Sequence, residues 1–138
     1  RALVVGAGVG YGAALLAACG PRAIALEEDQ DLLARARAAL PALAPNVTLA
    51  AGPLAAGWPS GAPYDIILIE GAVRAIPPAI GKQLRQGGGR LVTVLRGDGP
   101  VSAAVLAEAT PAGLRAQPMF DCATPELPSL RPAPAFEF

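Results

Sequence analysis

Alternating glycines near the start of the chain constrain its fold more than any other feature. They stand at positions 6, 8, 10 and 12 in the stretch VVGAGVGYG, between an apolar run at residues 2–5 and an alanine-rich stretch at 11–18. A strand, a glycine-rich turn and a helix in this order are typical of the first unit of a doubly wound α/β sheet, whose turn lies at the carboxyl edge. Glycines there let a ligand approach the backbone, and the helix N-terminus offers free N–H groups. The stretch therefore predicts a ligand-binding loop.

The alternation of strands and helices continues along the chain. Beyond the first strand and helix, it predicts strands at 23–26, 47–51, 64–69 and 91–95, and helices at 29–40 and 76–84. Pro41 is expected to end the longer helix, because proline lacks an N–H group. Because the strands are apolar without alternation, we predict an α/β fold with a Rossmann-like, doubly wound and mostly parallel sheet covered on both faces.

The last third of the chain follows a different pattern. Residues 101–109 and 114–120 predict two antiparallel strands that form a hairpin at the edge of the sheet, although the alanines of the first segment also allow a helix. The proline-rich tail from Pro125 is expected to follow the surface. We see no linker between domains, so residues 1–138 are interpreted as one domain.

Composition excludes several classes of function. Eleven basic residues balance eleven acidic ones, so we expect no binding to nucleic acid or to a membrane surface. The absence of histidine excludes imidazole metal ligands and a Ser-His-Asp triad, and the two cysteines match no metal spacing, so no metal is expected. No apolar run approaches the roughly 18 residues that span a membrane. We therefore expect a cytoplasmic protein, and the sequence indicates no oligomeric state.

The spacing of the glycines distinguishes between possible ligands. A dinucleotide fingerprint, G-x-G-x-x-G, needs a third glycine where Tyr11 stands. The observed Gly6-Ala7-Gly8-Val9-Gly10 has instead the spacing usual in S-adenosylmethionine-dependent methyltransferases. Tyr11 is interpreted as a peripheral ligand contact. The alternative is that it only starts the helix and packs against the sheet.

Glu27 is the candidate that binds a ribose. It ends the second predicted strand, about 20 residues beyond the loop, where nucleotide-binding folds place a carboxylate that accepts hydrogen bonds from ribose hydroxyls. Such a charge-assisted bond contributes about 1.5–3 kcal/mol. The alternative is that Glu27 only begins the next helix, where acidic residues favour the helix dipole. Glu28 and Asp29 are available for that capping role, so ribose binding is the preferred interpretation.

Five segments resemble the protein-L-isoaspartate O-methyltransferase family in order and spacing. They are LVVGAGVGYGAALLA, AIALEEDQDLLARARAAL, NVTLAAGPLAAGWPSGAPYDIILIEGAV, IPPAIGKQLRQGGGRLVTVL and FDCATPELPSL. The resemblance implies a class I methyltransferase fold, S-adenosylmethionine as cofactor and a protein carboxylate as substrate. With it, we expect cofactor contacts from Gly6, Ala7, Gly8 and Gly10 of the loop and from Glu27 of the second strand. Leu54, after the third strand, is a further candidate for the adenine end, and Glu70, at the end of the fourth, for the amino-acid end. We assign no catalytic residue, because methyl transfer of this kind rests mainly on positioning.

The chain departs from the family pattern in three places. Pro53 stands where the family has an aspartate that faces the adenine amino group. The family's substrate-side segment precedes the first strand, so we expect a methyltransferase-like domain that lacks this segment. Glu70 adds a carboxylate that either contacts the cofactor's amino group or is solvated. These departures keep open a catalytically inactive binding or structural module, and a nicotinamide-dependent oxidoreductase remains a distant third hypothesis.

Overall fold

The computed structural model describes residues 1–133 as one seven-stranded sheet with helices and short 3₁₀ turns. The strands are β1 (Ala2–Val5), β2 (Ala23–Glu27), β3 (Val47–Ala51), β4 (Ile66–Val73), β5 (Arg90–Arg96), β6 (Ser102–Thr110) and β7 (Gly113–Asp121). The helices are α1 (Tyr11–Ala18), α2 (Gln30–Leu43) and α3 (Pro78–Gly81), and the 3₁₀ turns are Leu54–Ala56, Pro59–Gly61 and Pro128–Leu130. The last five positions of the tail, 134–138, lie outside the described residues.

The strand order reverses beside β1, the first strand of the chain. The order is β3-β2-β1-β4-β5-β6-β7, so the chain runs outward from β1 on one side and then returns to pair β4 with the other side of β1. The pairs from β3 to β5 are parallel, whereas β5–β6 and β6–β7 are antiparallel. The predicted α/β fold with an antiparallel C-terminal edge is therefore confirmed. In such sheets, ligands bind at the carboxyl ends of the strands where the order reverses, here beside β1 and β4.

Both faces of the central strands are covered. The side chains of β1 alternate between the faces, so that Val4 packs with Ala13 of α1 while Leu3 and Val5 belong to a larger cluster on the opposite face. That larger cluster includes Ile80 of α3 and Leu54 of the first 3₁₀ turn. Burial of both faces explains why the strands read as continuous apolar runs.

Two predicted helix boundaries were wrong because local backbone hydrogen bonds continue one helix and end the other. Helix α2 continues through Pro41 to Leu43, and the N–H of Ala44 donates to the carbonyl of Leu40 (2.8 Å), which closes the last turn beyond the proline. Helix α3 is limited to Pro78–Gly81, because the N–H groups of Gln83 and Leu84 bond to carbonyls three residues back and form turns.

The fourth strand also differs from its prediction. It begins at Ile66 because Tyr64 instead bridges to Leu84, and it extends through a bulge to Val73. In the bulge, the register with β5 shifts between Leu68 and Ala72. Bulges of this kind redirect side chains near binding sites.

The helical alternative for residues 101–109 was wrong, since β6 pairs along both of its edges. Among residues 1–133, no helix has both the length and the apolar character needed to cross a membrane.

Gln83 connects α3 to the segment that leads from β3 to β4. Its buried side chain accepts from the N–H of Trp58 (2.8 Å) and donates to the carbonyls of Ala56 (2.8 Å) and Ala79 (3.0 Å). Three backbone groups thus depend on one amide, which fixes the 3₁₀ turn that contains Leu54.

We expect Gln83→Ala to lower the free energy of unfolding by about 1–3 kcal/mol, because it leaves buried backbone groups without partners. Urea unfolding measures this loss. The matched control is Gln86→Ala, which removes an exposed glutamine nearby and should change the free energy by less than about 0.5 kcal/mol. Equal effects of the two substitutions would contradict the role of Gln83.

Candidate functional site

The glycine loop leaves open space at one position only. Gly6, Gly8 and Gly10 all have positive φ, at 74°, 57° and 93°. A Cβ atom added to Gly6 would lie 3.2 Å from Leu127, and one added to Gly10 would lie 2.6 Å from Leu40. A Cβ atom on Gly8 would meet nothing within 4 Å. Gly6 and Gly10 are therefore packed against other residues of the protein, whereas Gly8 borders open space that a ligand can enter.

The carboxylate of Glu27 organises this loop. Glu27 is only 5% exposed, and both of its carboxylate oxygens accept hydrogen bonds from backbone N–H groups. Oε2 accepts from the N–H of Gly8 (2.8 Å), and Oε1 accepts from the N–H groups of Glu28 (2.8 Å) and Asp29 (3.0 Å). A carboxylate offers about four lone-pair directions, so Oε2 keeps one for a further donor.

Asp29, and not Glu27, caps the following helix. Its Oδ1 accepts from the N–H groups of Asp31 (2.9 Å) and Leu32 (3.0 Å), at the start of α2. The alternative role considered for Glu27, as a helix-starting residue, is thus filled by its neighbour. Ribose binding by Glu27 stays a prediction.

A cavity of about 420 Å³ borders the loop and the ends of β2 and β3. Volumes of about 300–1,000 Å³ are typical of small-molecule sites. Its lining consists of loop glycines, carboxylates from the end of β2, leucines and part of the tail: Gly6, Gly8, Glu27, Glu28, Asp29, Leu32, Leu54, Leu127, Pro128 and Ser129. The structure therefore brings together four of the predicted contacts, which are Gly6, Gly8, Glu27 and Leu54.

The other predicted contacts lie around this cavity and do not line it. The N–H of Ala7 donates to the carbonyl of Leu26 (3.0 Å), and Gly10 closes the turn with an N–H bond to the carbonyl of Ala7 (2.8 Å). Tyr11 begins α1, as its alternative interpretation expected, but it is 70% exposed, so most of its side chain does not pack against the sheet. Its contact with a ligand stays a prediction.

Glu70 approaches the loop from the β4 bulge. Its carboxyl group lies so close to Gly12, in the first turn of α1, that a Cβ atom there would clash with it. Oε2 of Glu70 is buried and has no hydrogen-bond partner among the described residues. Burial, and then the negative charge of Glu27, raise the pKa of Glu70. The buried oxygen argues against the alternative that Glu70 is simply solvated.

The tail forms one wall of the cavity, which sequence reasoning missed. The tail was expected only to follow the surface, but it is hydrogen-bonded to β4. The N–H of Ala72 donates to the carbonyl of Pro125 (2.9 Å), and the N–H of Leu127 donates to the carbonyl of Ala72 (3.0 Å). Leu127 then packs between Gly6 and Gly71. The one signal in the sequence was the resemblance of FDCATPELPSL to the end of a known family.

An ion-pair cluster fixes the tail in this position. The side chain of Glu126 is only 7% exposed and lies between Nε of Arg74 (3.4 Å) and Nε of Arg131 (3.5 Å). Arg74 follows β4 directly, so the cluster joins the tail to the strand that also carries Glu70. The wall beside the loop is therefore held by both backbone and charged contacts.

Comparison with known proteins identifies the family. The sequence model of the protein-L-isoaspartate(D-aspartate) O-methyltransferase (PCMT) family matches residues 1–105. The chain belongs to this family. It is 48% identical over 94 residues to the protein-L-isoaspartate O-methyltransferase of Methylorubrum populi, an alignment that covers 68% of this chain and 44% of that protein. The chain thus spans less than half the length of this relative, and the resemblance seen in the sequence is confirmed.

Solved structures confirm the methyltransferase fold. A protein-L-isoaspartate O-methyltransferase superposes with a TM-score of 0.86 at 23% identity, over 95% of this chain and 43% of that one. A Plasmodium falciparum PCMT in complex with S-adenosyl-L-homocysteine gives 0.73 at 18% identity, over 94% of this chain and 66% of that one. The whole sheet, including the antiparallel edge, is therefore the PCMT fold.

The raised pKa of Glu70 predicts a pH-dependent stability difference. The folded protein keeps the Glu70 proton above the ordinary pKa of 4.5, so the free energy of unfolding falls as pH rises from that value to the folded pKa. Glu70→Gln removes the charged form. We therefore expect its stability relative to the wild type to increase with pH over this interval and then to level off.

Chemical denaturation at a series of pH values measures this difference. Glu108→Gln, at a half-exposed glutamate on β6, controls for the chemical change itself. A difference between Glu70→Gln and the wild type that stays constant from about pH 4 to about pH 8 would contradict the buried environment of Glu70.

Proposed function

We propose that the glycine-loop cavity binds S-adenosylmethionine and that the protein transfers the cofactor's methyl group to a protein carboxylate. The observation that carries the proposal is the Glu27 carboxylate, which holds Gly8 at the open position of the loop and keeps a lone pair for a ribose hydroxyl. Membership of the PCMT family and the complex of a PCMT relative with S-adenosyl-L-homocysteine support it.

The electrostatics of the site favour this cofactor over a dinucleotide. A pyrophosphate needs free N–H groups at the loop, but the N–H of Gly8 is already bonded to Glu27. Glu28 and Asp29 add further negative charge along the cavity, and Glu70 lies next to α1. These carboxylates repel phosphates and attract the sulfonium and ammonium groups of S-adenosylmethionine. The site therefore does not favour a nicotinamide-dependent oxidoreductase.

Each predicted residue has a role in this arrangement. Glu27 holds the ribose, Leu54 flanks the adenine, and Glu70 lies on the side of the positively charged amino-acid end. The loop residues Gly6, Ala7, Gly8 and Gly10 supply the backbone around the cofactor, and Tyr11 makes a peripheral contact. When bound, the cofactor supplies an electrophilic methyl group.

Catalysis in this account rests on positioning. Transfer needs the acceptor carboxylate, the methyl group and the sulfonium in line, and a carboxylate acceptor is already ionised at neutral pH. The residues of this chain therefore bind and orient the cofactor, and none is assigned as a general base. We infer a protein or peptide substrate bearing an isoaspartyl residue from the family, and a cytoplasmic location from the unpaired Cys19 and Cys122.

Methyl transfer by the full-length protein tests the activity. An isoaspartyl peptide and labelled S-adenosylmethionine are incubated with it, and mass spectrometry detects the methyl ester. The matched peptide with ordinary aspartate is the control and should stay unlabelled. No ester on either peptide at high enzyme concentration, with cofactor binding intact, would instead favour a binding module without catalysis.

Gly8→Ala should weaken binding of S-adenosylhomocysteine about tenfold or more, because the added methyl group projects into open space above the loop. The left-handed backbone should also cost about 1–2 kcal/mol of stability. Calorimetric titration measures the affinity, and urea unfolding measures the stability.

Gly87→Ala is the matched control for this substitution. Gly87 also has a positive φ, 73°, and open space at its Cβ position, but it lies in the turn before β5. We expect a similar loss of stability and unchanged affinity. Equal affinities of the two variants would show that the ligand does not approach Gly8.

A further inference from the structure

A second carboxylate of the cavity, that of Glu28, reaches across to the turn that follows β3. Its Oε2 accepts a hydrogen bond from the N–H of Leu54 (3.1 Å). Glu28 is half-buried and lines the cavity together with Leu54. The side chain therefore joins the end of β2 to the 3₁₀ turn that begins at Leu54.

The 3₁₀ turn Leu54–Ala56 has no side chain that could accept a hydrogen bond. Pro53 precedes Leu54 and has neither an N–H group nor a polar side chain. Of the neighbouring carboxylates, Glu27 already accepts three N–H bonds, and Asp29 is exposed and accepts two from α2. Oε1 of Glu28 makes no hydrogen bond in the part of the chain that the structure describes. Because the other oxygen of this carboxylate bonds to Leu54, Oε1 is an acceptor held beside the turn.

The surroundings of Glu28 match the shape and polarity of an aminated purine. Leu32 and Leu54 line the same cavity and provide apolar contacts for the flat faces of a ring. A carboxylate at the edge accepts a hydrogen bond from an exocyclic amino group and repels a carbonyl oxygen at the same position.

We propose that Glu28 is the residue that selects the base of the cofactor, with its carboxylate accepting from the amino group of adenine in place of the side chain that Pro53 lacks. The inference rests on the proposed function, since it assumes that the cavity binds an adenosyl cofactor. It assigns base recognition to the end of β2, although the family pattern expects it after β3.

The test compares S-adenosylhomocysteine with S-inosylhomocysteine, whose base carries a carbonyl oxygen in place of the amino group. Calorimetric titration should give the wild type an affinity for the adenosyl ligand at least about tenfold higher, as expected for loss of a charge-assisted hydrogen bond. Glu28→Gln keeps an oxygen for the N–H of Leu54 and presents an amide donor to the base. Its preference should fall to about one or reverse, at an unchanged melting temperature.

Asp31→Asn is the matched control, because Asp31 is an exposed carboxylate in the first turn of α2 that does not line the cavity. Its preference between the ligands should equal that of the wild type. An unchanged preference in Glu28→Gln would overturn the inference. Tighter binding of S-adenosylhomocysteine by Glu28→Ala than by the wild type would also overturn the inference. That result would mean that the Glu28 carboxylate competes with the base for the N–H of Leu54. If the folded wild type bound neither ligand, the proposed function would fail as well.

Discussion

The candidate site depends on the hydrogen bonds between one buried carboxylate and three backbone N–H groups. Glu27 joins the glycine loop to the end of β2 through Gly8, and it fixes the chain that enters α2 through Glu28 and Asp29. Bonds of this kind, from N–H groups to a charged acceptor, are shorter and stronger than neutral ones. Contacts within the protein therefore fix the loop, which lowers the cost of ordering it on binding.

This arrangement concentrates negative charge that the described residues do not neutralise nearby. The pKa of Glu70 is raised by burial and by Glu27, and one of its oxygens has no partner in residues 1–133. An unpaired buried carboxyl group destabilises a fold, and such groups cluster at functional sites. A cationic ligand offsets this repulsion when it binds. The negative charge of the site and the reduced stability of the fold are thus two consequences of the same carboxylates.

The sequence predicted the fold well, because its strongest signals are local. Strand β1, helix α1 and the hairpin of β6 and β7 follow from apolar runs and turn residues. The glycine spacing alone distinguishes two classes of ligand. The parts that it did not predict depend on distant contacts. The β4 bulge that carries Glu70 follows from pairing with β5, and the wall at Leu127 follows from tail bonds to Ala72. Likewise, no local pattern indicates that Glu28 reaches Leu54 across the cavity.

The amide proton shifts of Gly8, Glu28 and Asp29 test most directly whether Glu27 organises the loop. NMR spectra of the wild type and Glu27→Gln would be compared, each with and without S-adenosylhomocysteine. The account predicts that the Gly8 proton lies downfield in the wild type, moves upfield in the variant, and stays downfield when the ligand binds the wild type. A Gly8 shift that is equal in both proteins, or that moves upfield when the ligand binds, would contradict the central role of Glu27.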